Sequence, residues 1–499
     1  MDAAQQLKQD VREGRIDVDR VVDHWASMGR QLQQANLRIA ELEKQLGSAA
    51  TVKTAEPYSL KAEEQRQEAR GIKTPGKKKK TSRRGRGSTA AKIKRAVRTE
   101  SVYPSGVASQ DCQLSHTRVL WRVESGQAVL VAYDVYRGPN NQSGKIPGAL
   151  GRSEYSIEII IALAYQVFIL GLSFDKACLL MKFFQNLSLR KSQADSLLKQ
   201  LSKHWEPDFD RLCTILAQSA VVHTDETSWS INSVWAFLSE KVRVVFLGVH
   251  KDAATLKHIL DPANFIGLVI SDDAAVSATF TLAQKCWAHL LRKAFKLTLL
   301  DPENSEYRTL ADRLLEIYRE ACRIQRDQRL SDAGRKQKVA ALDDEIMQLC
   351  GGLWFEDLPP LVGHDNDYRL LCVEVTKLML AEQLFSFVTA AAVTQPDGSK
   401  NPVAGTNNEA ERTLRPSAEA RQTVRTSKTL AGARRRTIIV SLLESLRPHL
   451  AEFTLASVIT EVRQWVNDGM SRFERLLSDL GLSQPEISTL DRVLSPESG

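Results

Sequence analysis

Cysteine is sparse and scattered in this 499-residue chain: Cys112, Cys178, Cys213, Cys286, Cys322, Cys350 and Cys372 are an odd number. Nowhere do they form the close pairs that a disulfide framework or a four-cysteine zinc site needs, so they read as reduced thiols. Runs of about 20 consecutive apolar residues are missing as well, which excludes a helical membrane span. The first residues, MDAAQQLKQD, lack a basic segment followed by an apolar one, so no secretory signal is readable and a cytoplasmic protein is expected. What the chain does have is core material. Hydrophobic residues make up 43% and charged residues 26%, values of a soluble globular protein long enough for about three folded units.

The net charge of +8 is unevenly spread. Between Lys73 and Arg98 stand twelve Lys or Arg and no acid, so the rest of the chain is net acidic. Residues 48–110 therefore read as a flexible basic linker. Its cluster Lys77, Lys78, Lys79, Lys80, Arg83, Arg84 and Arg86 suits salt-sensitive, sequence-independent contact with nucleic acid phosphates. A merely solvated charge run is the competing reading. Before it, Val18, Trp25, Leu32, Ile39 and Leu46 recur every seven residues, with Val21, Met28, Ala35 and Leu42 on the second seam position. That spacing predicts a coiled coil over 1–47 and self-association as a dimer or higher; an amphipathic helix packed on its own chain is the alternative.

Residues 111–218 predict a small β element, from VLWRVESGQAVLVAYDVYRG, followed by helices. SFDKACLLMKFF and SLRKSQADSLLKQLSKHW are spaced like a helix-turn-helix, with Arg190, Lys191 and Lys199 free to face phosphate. Ordinary helix packing explains the same pattern. The region 219–445 carries the chemistry. An apolar run ends at Asp225, two further strand-like runs follow, then a helical stretch, then FIGLVIS ending at Asp272. The order strand, strand, strand, helix, strand predicts a mixed α and β domain of ribonuclease H-like type, in which neighbouring first and fourth strands bring both acids together. A helical insertion, about 290–395, separates them from TNNEAERTLRP, which opens a helix bearing Glu411. Residues 446–499 read as a helical tail.

Carboxylates of this kind can hold two divalent ions and cut phosphodiesters without a covalent protein intermediate. Hard oxygen ligands suit Mg²⁺ or Mn²⁺, and no zinc site is predicted. With 60 acids in the chain, chance triads are plentiful; strand-end position and the surrounding motifs give this one its weight. HTDETSW, GLVISDD, CWAHLLRKAF and TNNEAERTLRP, in this order, resemble the signature blocks of the insertion sequence 66 family of bacterial transposases, over about 155–445. The resemblance implies a DDE-type enzyme with Asp225, Asp272 and Glu411 as catalytic metal ligands, acting on the terminal inverted repeats of a mobile element and on target DNA. It also implies a bacterial, nucleoid-associated protein and small accessory proteins encoded by the same element.

The resemblance selects Asp272 over Asp273 and agrees with helix geometry on Glu411. Glu409 and Glu411 point about 200° apart, whereas Asn407 and Asn408 share the face of Glu411. Arg412, Arg415, Arg421 and Arg425, with Lys428 and Arg434 to Arg436 beyond them, form a candidate DNA groove. Cys286 and His289 are assigned packing or hydrogen bonding beside the site, with half of a zinc site as the alternative. His223, two residues before Asp225, is expected on its side of the strand, with Glu226 on the other. The competing function is a non-catalytic DNA-binding protein, either a decayed transposase or a regulator.

Overall fold

The structure is a computed structural model that describes residues 88–272, 279–353, 363–423, 425–484 and 488–494. The coiled-coil segment 1–47 and the lysine-arginine cluster from Lys77 to Arg86 lie outside the described residues. A short helix, Thr89–Ile93, precedes three strands: β1 Arg98–Val102, β2 Gln113–Glu124 and β3 Gln127–Arg137, in the order β1-β3-β2. β2 and β3 turn on Ser125 and Gly126, whose φ angles of 48° and 78° give the left-handed pair that a tight hairpin requires. β1, inside the stretch that composition assigns to a linker, pairs parallel to β3. Its polar sequence holds as a strand because β3 supplies the partner groups.

Helix α1 Ile157–Ala164 is buried along its whole length. α2 Phe174–Gln185 is capped by Ser173, which accepts from the Lys176 amide at 3.3 Å, and ends at Asn186 in the left-handed region. α3 Lys191–Ala217 runs 27 residues, and its apolar stripe of Leu198, Trp205, Phe209, Leu212 and Leu216 lies in the core under the central sheet. Of the three cations read on this pair, Lys191 meets Asp175 at 3.1 Å and Lys199 meets Asp195 at 2.9 Å.

The central sheet holds β4 Val221–Ser228, β5 Ser233–Leu238, β6 Arg243–Val249, β7 Leu268–Ser271 and β8 Ala283–Lys285, in the order β6-β5-β4-β7-β8. β4, β5 and β6 form an antiparallel meander, whereas β7, reached through α4 Ala253–Ile259, lies parallel to β4. The expectation that the first and fourth of these strands are neighbours is met. Val222, Trp235, Phe237, Val244, Phe246 and Val269 face α3, while Val234, Ala236, Leu238, Val245 and Leu247 face a helix that follows the insertion. Alternation along each strand thus feeds helices on both faces.

The insertion is helical: α5 Trp287–Leu300, α6 Ser305–Arg326, α7 Asp332–Cys350 and α8 His364–Leu380 share a core that reaches Val221, Leu268 and Ile270 of the sheet. A short hairpin, β9 Val393–Thr394 and β10 Lys400–Asn401, leads to α9 Asn408–Gln422 and α10 Leu430–Leu446. α9 packs Ala410 and Leu414 on the sheet. The chain ends in α11 Leu455–Asp468, α12 Arg472–Asp479 and α13 Thr489–Leu494, which close the α3 side of the core. Among the described residues no helix is long and apolar enough to cross a membrane.

Both edges of the central sheet are occupied. Along β6, the amides of Arg243, Val245 and Leu247 donate to Ser445 Oγ at 2.8 Å, Ser441 Oγ at 2.9 Å and Thr437 Oγ1 at 3.0 Å on α10. The match is metric. Four helix residues rise about 6 Å and two strand residues about 6.6 Å, so hydroxyls four apart meet amides two apart. At the other edge, the Lys285 amide donates to the Gln383 carbonyl at 2.7 Å, and the Gln284 side chain bridges the Leu384 carbonyl and the Phe387 amide.

Candidate active site

β4 and β7 pair only over Val221–Leu268, Val222–Val269 and His223–Ile270. Beyond that ladder β7 stops while β4 continues, so Asp225 and Asp272 emerge at the same end of the sheet. Oxygen atoms of Asp225, Glu226 and Asp272 lie within 4.8 Å of one another. Asp225 is 8% exposed, and its Oδ1 accepts from the Glu226 amide at 2.8 Å. Burial first, and the charge of Asp272 second, push its carboxyl up to about 7. Lys251, at the head of α4, pairs with Glu226, which holds the ammonium pKa above its ordinary value. Lys285 Nζ donates to the Asp272 carbonyl at 2.6 Å.

Glu226 is expected on the opposite face of β4, and the register agrees: Asp225 stands opposite Ala236 on the α9 side and Glu226 opposite Trp235 on the α3 side. A Glu226 oxygen nevertheless comes within 4.8 Å of those of Asp225 and Asp272, at the margin of β4 that β7 leaves open.

Glu411 stands in a second grouping, with Cys286 and His289, whose ligand atoms also converge within 4.8 Å. Arg292 donates to both Glu411 oxygens, at 2.8 and 3.2 Å, and His289 Nδ1 lies 3.6 Å from Oε1. Cys286 precedes α5, and its amide donates to the Ser271 carbonyl at 2.9 Å. Its Sγ accepts from the Asn407 amide at 3.1 Å. Asn407, fully buried, donates its side-chain amide to the Thr224 carbonyl at 2.7 Å. Three bonds therefore tie β4, β7, α5 and α9 together at one corner. Burial pushes the Cys286 thiol up despite the amides aimed at it, so it acts as a neutral acceptor.

The two glutamates of α9 part as helix geometry requires. Glu409 turns to β6 and pairs with Arg243 at 2.5 Å. His223 lines the cleft beside Glu409, Arg243 and Leu238, and burial lowers its pKa, which keeps the imidazole neutral.

Asn408, Arg412, Arg415, Arg421 and Arg425 are exposed along and after α9; Arg421 donates to Ser228 and Arg425 to the Gly171 carbonyl at 3.2 Å. Arg434 to Arg436 do not extend this row. Arg434 pairs with Glu206 and Asp491, and Arg435 pairs with Asp195 at 2.7 Å. Arg436 is 7% exposed and donates to the Arg425 carbonyl. α10 is wedged between β6 and α3, which turns these cations inward.

Sequence reasoning passed over Lys251, Lys285 and Arg292. For Arg292 the signal was present, since it lies one helical turn after His289 in CWAHLLRKAF.

Residues 152–353 match the family described as Transposase IS66 family. The matched segment holds Asp225, Asp272, Cys286, His289 and Arg292 and ends before Glu411. No curated protein matches the chain.

Proposed function

We propose that this chain is a DNA transposase that binds the terminal inverted repeats of an insertion sequence and performs divalent-metal-dependent strand cleavage and strand transfer. The observation that carries the reading is the convergence of Asp225 and Asp272 just beyond the end of the β4–β7 ladder, inside the segment that matches a transposase family. The topology, with an antiparallel meander, a crossover helix and a fourth strand parallel to the first, supports a ribonuclease H-like domain carrying a helical insertion.

The donor set fits Mg²⁺ or Mn²⁺. Its groups are carboxylate oxygens, and two of them crowd together in a partly buried corner where a cation relieves their repulsion. Asp225 and Asp272 would hold the ions, with Glu411 as the third ligand once it leaves Arg292. Bound there, such ions activate an attacking oxygen and neutralise charge on the leaving oxygen at phosphorus. The chain's own groups do the rest. The bonds joining Cys286, Asn407, Ser271 and Thr224 fix the corner on which both groupings stand. Lys251 and Arg292, exposed but paired with Glu226 and Glu411, would turn to substrate phosphate if the ions took those carboxylates, and Arg412, Arg415, Arg421 and Arg425 extend that potential along α9. The lysine-arginine cluster from Lys77 to Arg86 adds sequence-independent affinity.

Supercoiled plasmid bearing the element ends, incubated with the full chain and Mg²⁺, tests this. Nicking is expected, and is expected to vanish in Asp225→Asn, Asp272→Asn and Glu411→Gln. Wild type that binds the ends yet cuts with neither Mg²⁺ nor Mn²⁺ overturns the enzyme in favour of a non-catalytic DNA-binding protein.

A further inference from the structure

The outer side of α6 bears an open depression of about 630 Å³, lined by Tyr318, Cys322 and Asp327 and by four arginines, Arg319, Arg323, Arg326 and Arg329. Arg323 meets Glu320 at 2.5 Å and Arg329 meets Asp327 at 2.9 Å. Arg319 and Arg326 are exposed, and no carboxylate among the described residues pairs with either. They share a helix face, two turns apart. Cations in the last turn of a helix are favoured by its dipole, by a few tenths of a kcal/mol each. That accounts for Arg323 and Arg326 but not for four guanidinium groups around one hollow.

The buried side of the same turns supports the loop before Glu411. Gln325 donates to the Phe387 carbonyl at 2.8 Å and to the Val403 carbonyl at 2.6 Å. Tyr318 stacks on Trp287, centroids 5.4 Å apart, and a Cβ added at Gly405 would stand 3.1 Å from the Tyr318 ring. The arginine rim and the residues that present Asn407 and Glu411 are therefore two sides of one support.

We infer that this depression is a DNA-backbone surface, which seats a stretch of duplex flanking the one that reaches Asp225 and Asp272; the inference rests on the transposase reading. Guanidinium groups pair with phosphate in bidentate fashion. Arg319 and Arg326, about 10.5 Å apart along the axis at 1.5 Å per residue, span the rise of about three nucleotides of one strand.

The test uses the full chain and fluorescent duplex containing an element end, with anisotropy read across a salt series without divalent metal. The double variant Arg319→Gln, Arg326→Gln changes only exposed side chains, and its melting temperature should match wild type. The slope of log affinity against log salt should fall by about two, one for each lost phosphate contact. In wild type, DNA should also protect Cys322 from alkylation, read by peptide mass spectrometry. An unchanged slope with Cys322 unprotected, in protein that binds and nicks DNA, overturns this surface and leaves the transposase standing. Wild type that neither binds nor nicks removes both.

Discussion

Arg292 on α5 donates to both carboxylate oxygens of Glu411 on α9, at 2.8 and 3.2 Å, closing a loop of 119 residues. The pair is half exposed, so its net worth is roughly 0.2–1 kcal/mol. On the proposed reading, a divalent ion at Asp225 and Asp272 would compete with Arg292 for Glu411. Arg292→Gln should therefore tighten Mn²⁺ binding about 1.5- to 5-fold, measured by electron paramagnetic resonance on metal-free protein. Weaker binding would mean that Arg292 holds Glu411 ready for the ion instead of away from it.

Asp225 is a cost to the metal-free fold. Its carboxyl is pushed up to about 7 by burial and by Asp272, against an unfolded value of about 3.9. The penalty of the charged form is thus absent below about pH 4, grows through the interval and is complete above about pH 7. Asp225→Asn should raise Tm by several degrees at pH 8 in chelator, and the gain should fade as pH falls to 4. A gain that does not depend on pH would refute charge as its cause.

The sheet was the most legible part of this protein. The apolar run before Asp272 marks the end of β7, while β4 continues past Asp225 to Ser228; the order of the runs along the chain predicts that β4 and β7 lie side by side, because a crossover helix returns the chain parallel to its start. Helix angle set Glu409 and Glu411 on different faces, and the resemblance chose between them. That Glu226 still comes near the two aspartates could not be read, because alternation gives a side chain's face and not how far it extends past a margin that β7 leaves open. Arg434 to Arg436 looked like an extension of the α9 row since charge in sequence carries no record of what packs over it. Their partners Glu206, Asp195 and Asp491 come from distant segments. The pairing of Glu411 with Cys286 and His289 depends on a fold across the whole insertion, which no local pattern encodes.

Asn407 should matter to stability before it matters to chemistry. Its side chain supplies the 2.7 Å bond to the Thr224 carbonyl at a fully buried position. Asn407→Ala leaves that carbonyl without its partner, at about 1–3 kcal/mol, and should lower the urea midpoint while Asn408→Ala, exposed at the start of α9, leaves it near wild type.

Ser441 is expected to behave as part of the sheet, although it sits on a helix. Ser441→Ala strips the Val245 amide of its acceptor and should cost about 1–3 kcal/mol in urea unfolding. Ser441→Thr, which keeps a hydroxyl, should recover part of the loss. Equal stability of wild type and alanine variant would remove the ladder from the account.

That ladder also limits how copies of this chain can meet. An uncovered strand edge is a template on which another chain can crystallise itself, indifferent to sequence and hard to reverse. With Thr437, Ser441 and Ser445 sealing one margin and the 383–387 segment the other, that route is shut at the central sheet. A second copy meeting this sheet would have to do so through side-chain surfaces, which can discriminate among partners and let go of them afterwards.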